Sequence, residues 1–599
     1  MIEIFTILTK IILILYFIGY GFTAIFIPEK LRKDSFFLIP WIGLIIITTL
    51  GISLSMTQVF LVQSKYIIFM IALILIIYSF LTKKIIFSFS KDILMVGVLT
   101  IVCLLFNLAP LLFKIGYPTT ISLSNLDPLS YVNVGEYLIH NSVLVRPEML
   151  SSQPHFRAVG DLLGYGYRWG SPLILGFFSS VLGLRSYQIY SILITLFFSL
   201  SLPLVYLLAK LLIKKSSNLL TLLTFLTYGM NSIIIYMLYN VFFAQFIFIG
   251  IFILTIILLY SYFSDKNVKS LQFNSYDLFI GLGISSLSSI YAEGLVFTTM
   301  PMVIFLIFKF FSKEKYKVLI SLFKIATVAL VINPFIMGKA LLGDYKLFFS
   351  STKPSFIGWE KVRYATPLEM TGFYNLFYYK DLSRILSFLI SIPFIGICLF
   401  GLSKTKNRLF IASYLLVFCL FYTIYWFIYP NYYLHLKLVS YLLFIFTAVF
   451  SVGLYYLITK LKNKIILLSI IMIIAFFSLR SAYRTVYQLY YHPRIVDKKL
   501  ISLNQLNKDN KIKDAFYTSD IFLGDYDLWK RLWQEYLLSD KQIVTQTNYL
   551  DEKNLDSVKL VLSEKEIQEY DHKKIIYKNI IWSNEYYQLG EIEPMKVIK

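Results

Sequence analysis

Apolar residues run along this chain in blocks of about twenty, broken by short basic clusters, with neither the 3.6-residue stripe of a soluble helix nor the alternation of a half-buried strand. Fourteen such blocks are readable, at 4–27, 36–60, 66–82, 93–113, 187–212, 218–238, 241–263, 277–291, 295–311, 318–341, 384–402, 408–428, 434–459 and 464–482. Each is near the ~20 residues that cross a bilayer, although 277–291 and 295–311 are short. The first block is too long for a removable signal peptide and lacks a small-residue cleavage site, so it reads as a retained helix.

After about residue 483 the pattern changes. Charges become dense, helix-like "DYDLWKRLWQEYLLSD" alternates with strand-like "DAFYTSD", "KQIVTQTNYL", "SVKLVLSEKE" and "KKIIYKNIIWSNEYYQL", and the stretch is long enough for one small domain. The expected fold class is therefore an all-α polytopic membrane protein of about fourteen helices with a small extracytoplasmic α/β or α+β C-terminal domain. Its expected divisions are N-terminal membrane helices at 1–92, a membrane core at 93–482, and the C-terminal domain at 483–599.

Composition supports this reading. The chain of 599 residues is 58% hydrophobic and only 15% charged, more apolar surface than one soluble core can hide. The net charge of +22 would suggest nucleic acid in a soluble protein. Here the clusters "EKLRK" (29–33), "KK" (83–84), "KK" (214–215), "KEKYK" (313–317), "KTKNR" (404–408) and "KLKNK" (460–464) all fall on one side of an alternating bundle. That side is the cytoplasm by the positive-inside rule, and no nucleic-acid partner is expected. The three cysteines lie in apolar blocks and suggest neither a disulfide framework nor a metal site. Residues 114–186, 342–383 and the tail then lie outside, which points to chemistry at the outer face of a cytoplasmic (plasma) membrane.

In the first of these segments, "SNLDPLSYVNVGEYLIH" (124–140) places Asp127 before Pro128 at a helix start, and the apolar piece 171–184 is too short to span. An acid opening a short helix with D-x-x-x-Y and "EYL" in the first large external loop, followed by G-x-P and an apolar helix ending in "LG", resembles the GT-C superfamily of membrane glycosyltransferases. Protein O-mannosyltransferases and lipid A aminoarabinose transferases are members of that group. "YAEGLVFTTMP" (291–301) and "YPNYYLHLKLVSYLLF" (429–444) are similar to later GT-C segments lining the donor cavity. The resemblance covers roughly 93–599. It implies inverting transfer of a sugar from a polyprenyl-phosphate-linked donor to a glycan, lipid or protein acceptor, among membrane lipids.

The residues themselves suggest roles. A carboxylate at head-group level can take an acceptor's proton or hold a divalent cation, the single cofactor and metal role considered, with Asp127 as ligand. Asp127 could equally cap its helix. Glu293, between two short apolar blocks, would cost at least ~2.5 kcal/mol unpaired at bilayer depth, so it marks a cavity acid, a helix break or a plain turn. Lys437, His435 and Arg168 are cations on the side where the rule does not place them and are candidate holders of the donor phosphate. Snorkelling of Lys437, a pair between Arg168 and Asp161, and a simply buried His435 are the competing readings. Tyr131, Tyr165, Tyr167 and Trp169 are candidate sugar contacts among aromatics that mostly serve packing. A flippase or transporter would show internal repeats, and none is found. A glycan polymerase or ligase would concentrate its charged residues in one late loop, whereas here the acid comes early.

Overall fold

In the computed structural model, residues 1–86, 91–123, 125–145, 147, 159–160, 168–265, 272–310, 315–339, 364–374, 384–519, 527–544, 559–566, 569–570 and 573–592 are described. The first apolar blocks form α1 (Ile2–Phe26), α2 (Ile39–Met56), α3 (Leu61–Leu81) and α4 (Lys91–Ala109). The loop that follows carries α5 (Asp127–His140) and α6 (Gly170–Leu182). The bundle continues with α7 (Ser186–Ile213), then α8 (Asn218–Thr224) and α9 (Ser232–Tyr239), which meet at a bend of 46°. Next come α10 (Phe243–Ser264), α11 (Ser275–Tyr291), α12 (Val296–Phe310) and α13 (Lys315–Ile332). The last membrane helices are α14 (Arg384–Lys404), α15 (Arg408–Thr423), α16 (Tyr432–Thr459) and α17 (Lys464–Tyr491). Asparagine marks several starts: Asn231, Asn431 and Asn463 each accept from a first-turn N–H, and Asn274 shares a reciprocal capping box with Asp277.

Among the described residues eleven helices are long and apolar enough to cross a membrane, twelve with the bent α8–α9 pair, when 275–310 is taken as one 36-residue helix. Ring contacts show that this stretch doubles back. Tyr276 at the start of α11 stacks 5.3 Å from Tyr262, and Phe305 near the end of α12 lies 5.2 Å from the adjacent Phe263. Between them the chain passes Tyr441, 5.7 Å from Tyr291 and 5.3 Å from Phe297. Thus α11 and α12 are the two arms of a hairpin whose tip is the 3-10 turn Ala292–Leu295. Lysine-rich α13 then runs parallel to α11, with Lys324 on Asp277 at 2.6 Å and Asn333 on Ser285 at 3.2 Å. By length and composition the described helices give eleven or twelve spans where the block pattern suggested about fourteen, because 277–291 and 295–311 lie in one helical stretch and α13 carries three lysines.

The bundle therefore has two ends. At one, the basic clusters meet acids such as Asp34 and Asp92, both on Lys210, at 2.8 and 3.4 Å. At the other lie the N-terminus, α5, α6 and the tail. Strand β1 (Ile121–Ser122) pairs antiparallel with β2 (Arg494–Ile495), tying the two large segments together. The tail folds as α18 (Lys498–Ile501), α19 (Leu503–Lys508) and α20 (Leu528–Leu537) around β3 (Phe516–Thr518), β4 (Ile543–Val544), β5 (Leu560–Glu564), β8 (Tyr577–Ser583) and β9 (Tyr587–Ile592). Those strands form one sheet in the order β4-β3-β5-β9-β8, parallel across β4-β3-β5 and antiparallel beyond, while β6 (Glu569–Tyr570) and β7 (Lys573–Lys574) pair separately. The alternation of parallel strands with helices makes this an α/β unit with an antiparallel edge, within the class expected.

The short apolar piece predicted not to span is α6. It is buried, wedged at the loop end between α5 and the ends of α2 and α3. Its contact with α5 is a backbone contact: a Cβ on Gly176 would meet the Gly135 carbonyl oxygen at 2.3 Å. Small residues at such a crossing let two helices approach closely. Gly176→Ala is expected to push α5 off α6 and cost about 1–3 kcal/mol, the usual scale of overpacking. A melting curve of the purified variant in detergent checks this, and an unchanged midpoint would rule out the close crossing.

Candidate active site

Asp127 opens α5, and the local chain explains why it is held there. Pro128 takes an early helical position that needs no N–H donor. Asn125 receives the Asp127 backbone N–H at 3.1 Å and donates to the Asn240 carbonyl at 2.8 Å. Leu123 donates to the Tyr239 carbonyl at 3.0 Å and Tyr190 to the Val241 carbonyl at 2.9 Å. The start of α5 is thus stitched to the α9–α10 turn.

The capping reading of Asp127 does not hold. Leu126 is the N-cap, and no side chain caps the helix. The carboxylate makes no ion pair with any described residue. It is exposed at its surface, yet protein crowds it on most sides, the situation of a group on the wall of a concavity. That crowding raises its pKa above the ordinary aspartate value, and Asn125, Arg168 and Lys437 act in the opposite direction.

Glu293 sits at the tip of the α11–α12 hairpin, so the helix break expected from its charge is present. Its two carboxylate oxygens are divided between two cations: Arg168 Nη2 at 2.7 Å and Lys437 Nζ at 3.0 Å. Tyr291 completes the arrangement. Its hydroxyl accepts from Arg168 Nη2 at 3.1 Å, and its ring lies 4.4 Å from the guanidinium and 5.1 Å from the ammonium. Lys437 also lies 4.4 Å over the Tyr433 ring. Residues from three distant parts of the chain, Arg168, Glu293 and Lys437, therefore form one ion cluster, with Asp127 within its field. Arg168 pairs with Glu293; Asp161 lies outside the described residues, as do Tyr165 and Tyr167. Lys437 is turned inward onto Glu293 instead of snorkelling.

The other candidates stand differently toward the cluster. His435 is buried in an aromatic box, with ring centroids 4.8 Å from Tyr422, 5.1 Å from Tyr364 and 5.4 Å from Trp426. Neither ring nitrogen has a hydrogen-bond partner among the described residues. Two residues on a helix differ by about 200° in direction, so His435 and Lys437 face opposite ways on α16. Tyr131, one turn beyond Asp127, packs its ring 5.6 Å from Phe243 and 6.4 Å from Tyr190. Burial pushes its hydroxyl up to about 12, opposed by the charge of Arg168. The hydroxyl, rather than a ring face, is what Tyr131 turns to the ion cluster. Trp169 is stacked on Phe335 at 6.1 Å, with Lys339 4.8 Å from its ring. Lys339, over the Trp169 and Phe335 rings, is a cation that sequence reasoning passed over; it lies at the end of an apolar block, where a lysine usually signals only an interface.

A divalent cation does not suit these residues. Among the described residues no three His, Cys, Asp or Glu side chains come together. Glu293 is committed to two cations, and Asp127 stands in the field of the same two, which would repel a third.

No protein-family model matches the chain, and no curated protein matches it by sequence. Its fold is similar to the crystal structure of ArnT from Cupriavidus metallidurans in the apo state, with TM-score 0.49 and 8% identity over 84% of this chain and 98% of that one. It is also similar to the Archaeoglobus fulgidus oligosaccharyltransferase tethered by a disulfide to an acceptor peptide containing the NVT sequon, with TM-score 0.46 and 11% identity over 80% and 70%. The likeness is one of fold outline, and the chain's function rests on its own residues.

Proposed function

We propose that this protein is an inverting glycosyltransferase that moves a sugar from a polyprenyl-phosphate-linked donor to an envelope acceptor at the outer face of the cytoplasmic membrane. One observation carries the reading: a crowded carboxylate, Asp127, without an ion pair among the described residues, in the field of two fixed cations, Arg168 and Lys437, at the loop end of a membrane bundle. An acceptor hydroxyl attacks the anomeric carbon, its proton passes to Asp127, and the carbon–oxygen bond to phosphate breaks with its electron pair leaving on the phosphate. Arg168 and Lys437, already gathered by Glu293 and Tyr291, meet the charge that develops on that oxygen without needing to reorganise. Attack opposite the leaving group inverts the anomeric configuration. A polyprenyl chain would lie in the bilayer beside the bundle, which brings its phosphate to the end of the helices where these cations stand.

The test is transfer itself. Purified protein in nanodiscs is expected to release polyprenyl phosphate from a polyprenyl-phosphate sugar when acceptor glycolipid is present. In intact cells, a cysteine placed at residue 525 is expected to react with an impermeant thiol reagent, and one placed at 462 is not. Reaction at 462 with protection at 525 would put the site in the cytoplasm and favour a nucleotide-sugar donor. Movement of intact donor across the bilayer without release of polyprenyl phosphate would favour a flippase.

A further inference from the structure

The "EYL" that follows Asp127 has a use the transfer mechanism does not assign. Glu136 of "EYL" lies nine residues past Asp127 on α5, and its carboxylate is half-buried against donors from two other parts of the chain. Arg185, at the start of α7, donates from Nε at 3.2 Å and Nη2 at 2.7 Å. The Ser186 N–H adds 2.9 Å, and the hydroxyl of Tyr536, from α20 of the tail, makes a fourth bond. Arg185 reaches further into the tail: Nη1 donates to Asn504 Oδ1 at 2.8 Å, Nη2 to the Tyr536 carbonyl at 3.3 Å, and its guanidinium lies 4.6 Å over the Tyr536 ring. Tyr187 packs edge-on to Tyr536 at 6.1 Å. These donors hold the Glu136 carboxyl below the usual range despite its burial.

A surface ion pair would be worth little. This one lies between buried and surface cases, with side-chain exposures of 24% for Arg185 and 16% for Glu136, but four donors meet the carboxylate and it is shared by α5, the membrane helix α7 and the tail domain, so it fixes how the three sit against one another. Helix α5 is otherwise located by the Gly135–Gly176 crossing and by the Asn125 contacts at its start. Without the tail's hydroxyl, Glu136 loses one of four donors at the end of α5 far from Asp127.

We infer that Glu136, Arg185 and Tyr536 form a positioning lock through which the C-terminal domain sets the placement of Asp127. This rests on the catalytic reading of Asp127, and Glu136 and Tyr536 are positioning residues, not reacting ones. The domain is then a working part of the active site, although it supplies no reacting group.

The experiment uses full-length Tyr536→Phe, which removes one hydroxyl and keeps the ring that stacks on Arg185, with Glu136→Gln as a second variant. Hydrogen exchange of the α5 peptide 127–135 and transfer kinetics are measured on the same preparations. The expected result is faster exchange in 127–135 and a tenfold or greater fall in kcat with KM for donor nearly unchanged. The acid limb of the rate profile is also expected to move to lower pH, because looser packing admits water and lowers the raised Asp127 carboxyl. Unchanged exchange in 127–135 overturns the lock. So does faster exchange with unaltered kcat and an unmoved acid limb, which would make the junction a domain contact alone. Absence of transfer by the unmodified protein would instead count against the glycosyltransferase reading, and the exchange data would still decide the lock.

Discussion

Asp127→Asn is expected to reduce sugar transfer by 10²-fold or more while leaving the protein at least as stable as before. The loss follows from the role of base, whose removal usually costs 10²- to 10⁴-fold. The stability follows from the sign of the pKa shift. The folded carboxyl is raised, so folding favours its protonated form. Its contribution to stability is full below the unfolded pKa and lost as pH rises through the folded one, leaving a net penalty near neutrality. An amide carries no charge to desolvate, so Asn removes that penalty, and no capping bond is lost because Asp127 makes none. The same shift predicts a rate profile whose acid limb lies above the pH at which an ordinary aspartate titrates, since only the ionised form accepts a proton. Transfer assays with melting curves alongside are the check. Full activity in the Asn variant would remove Asp127 from the chemistry.

Glu293→Gln is expected to do the opposite to stability. It leaves Arg168 and Lys437 facing each other without the carboxylate that divides them, and breaking one side of a buried pair costs about 3 kcal/mol, toward the low end here because water reaches the cluster. The exposures of the three side chains, 26% for Arg168, 14% for Glu293 and 12% for Lys437, put the pair between buried and surface cases. Transfer should fall as well, because the two cations lose their fixed spacing. A second variant separates the effects: adding Lys437→Met to Glu293→Gln should recover much of the melting temperature and none of the activity. A Gln variant that melts with the wild type would mean the ion cluster does not exist in the folded protein.

Much of this was legible in the chain because the bilayer allows few solutions. A backbone without water must close its own hydrogen bonds, so each apolar block could be read as a helix. The acid between 277–291 and 295–311 was informative for the same reason: a charge at that depth needs a break, and the hairpin tip at Glu293 is that break. Asp127 was singled out from its place before Pro128 in an external loop, Glu293 from the cost of a charge at bilayer depth, and Arg168 and Lys437 from positive charge on the outer side. Their convergence was not legible, because Arg168 and Glu293 are 125 positions apart and no local pattern encodes such a pairing. The opposite facing of His435 and Lys437 was readable from helical period alone and separates one candidate from the cluster. Glu136 escaped notice because an acid in an amphipathic helix ordinarily faces water. In the tail, one long strand-like run proved to be β8 and β9, divided at Asn584, whose side chain accepts from the N–H groups of Tyr586 and Tyr587.

The short arms of the α11–α12 hairpin have a mechanical consequence. Seventeen and fifteen residues rise only about 25 and 22 Å, less than the ~30 Å hydrocarbon thickness of a typical bilayer. Arms of that length fall short of the full hydrocarbon thickness, a mismatch that bilayers accommodate by thinning beside short helices. Under the proposed function, the thickness of the surrounding bilayer then bears on how easily a lipid phosphate is seated at Arg168 and Lys437.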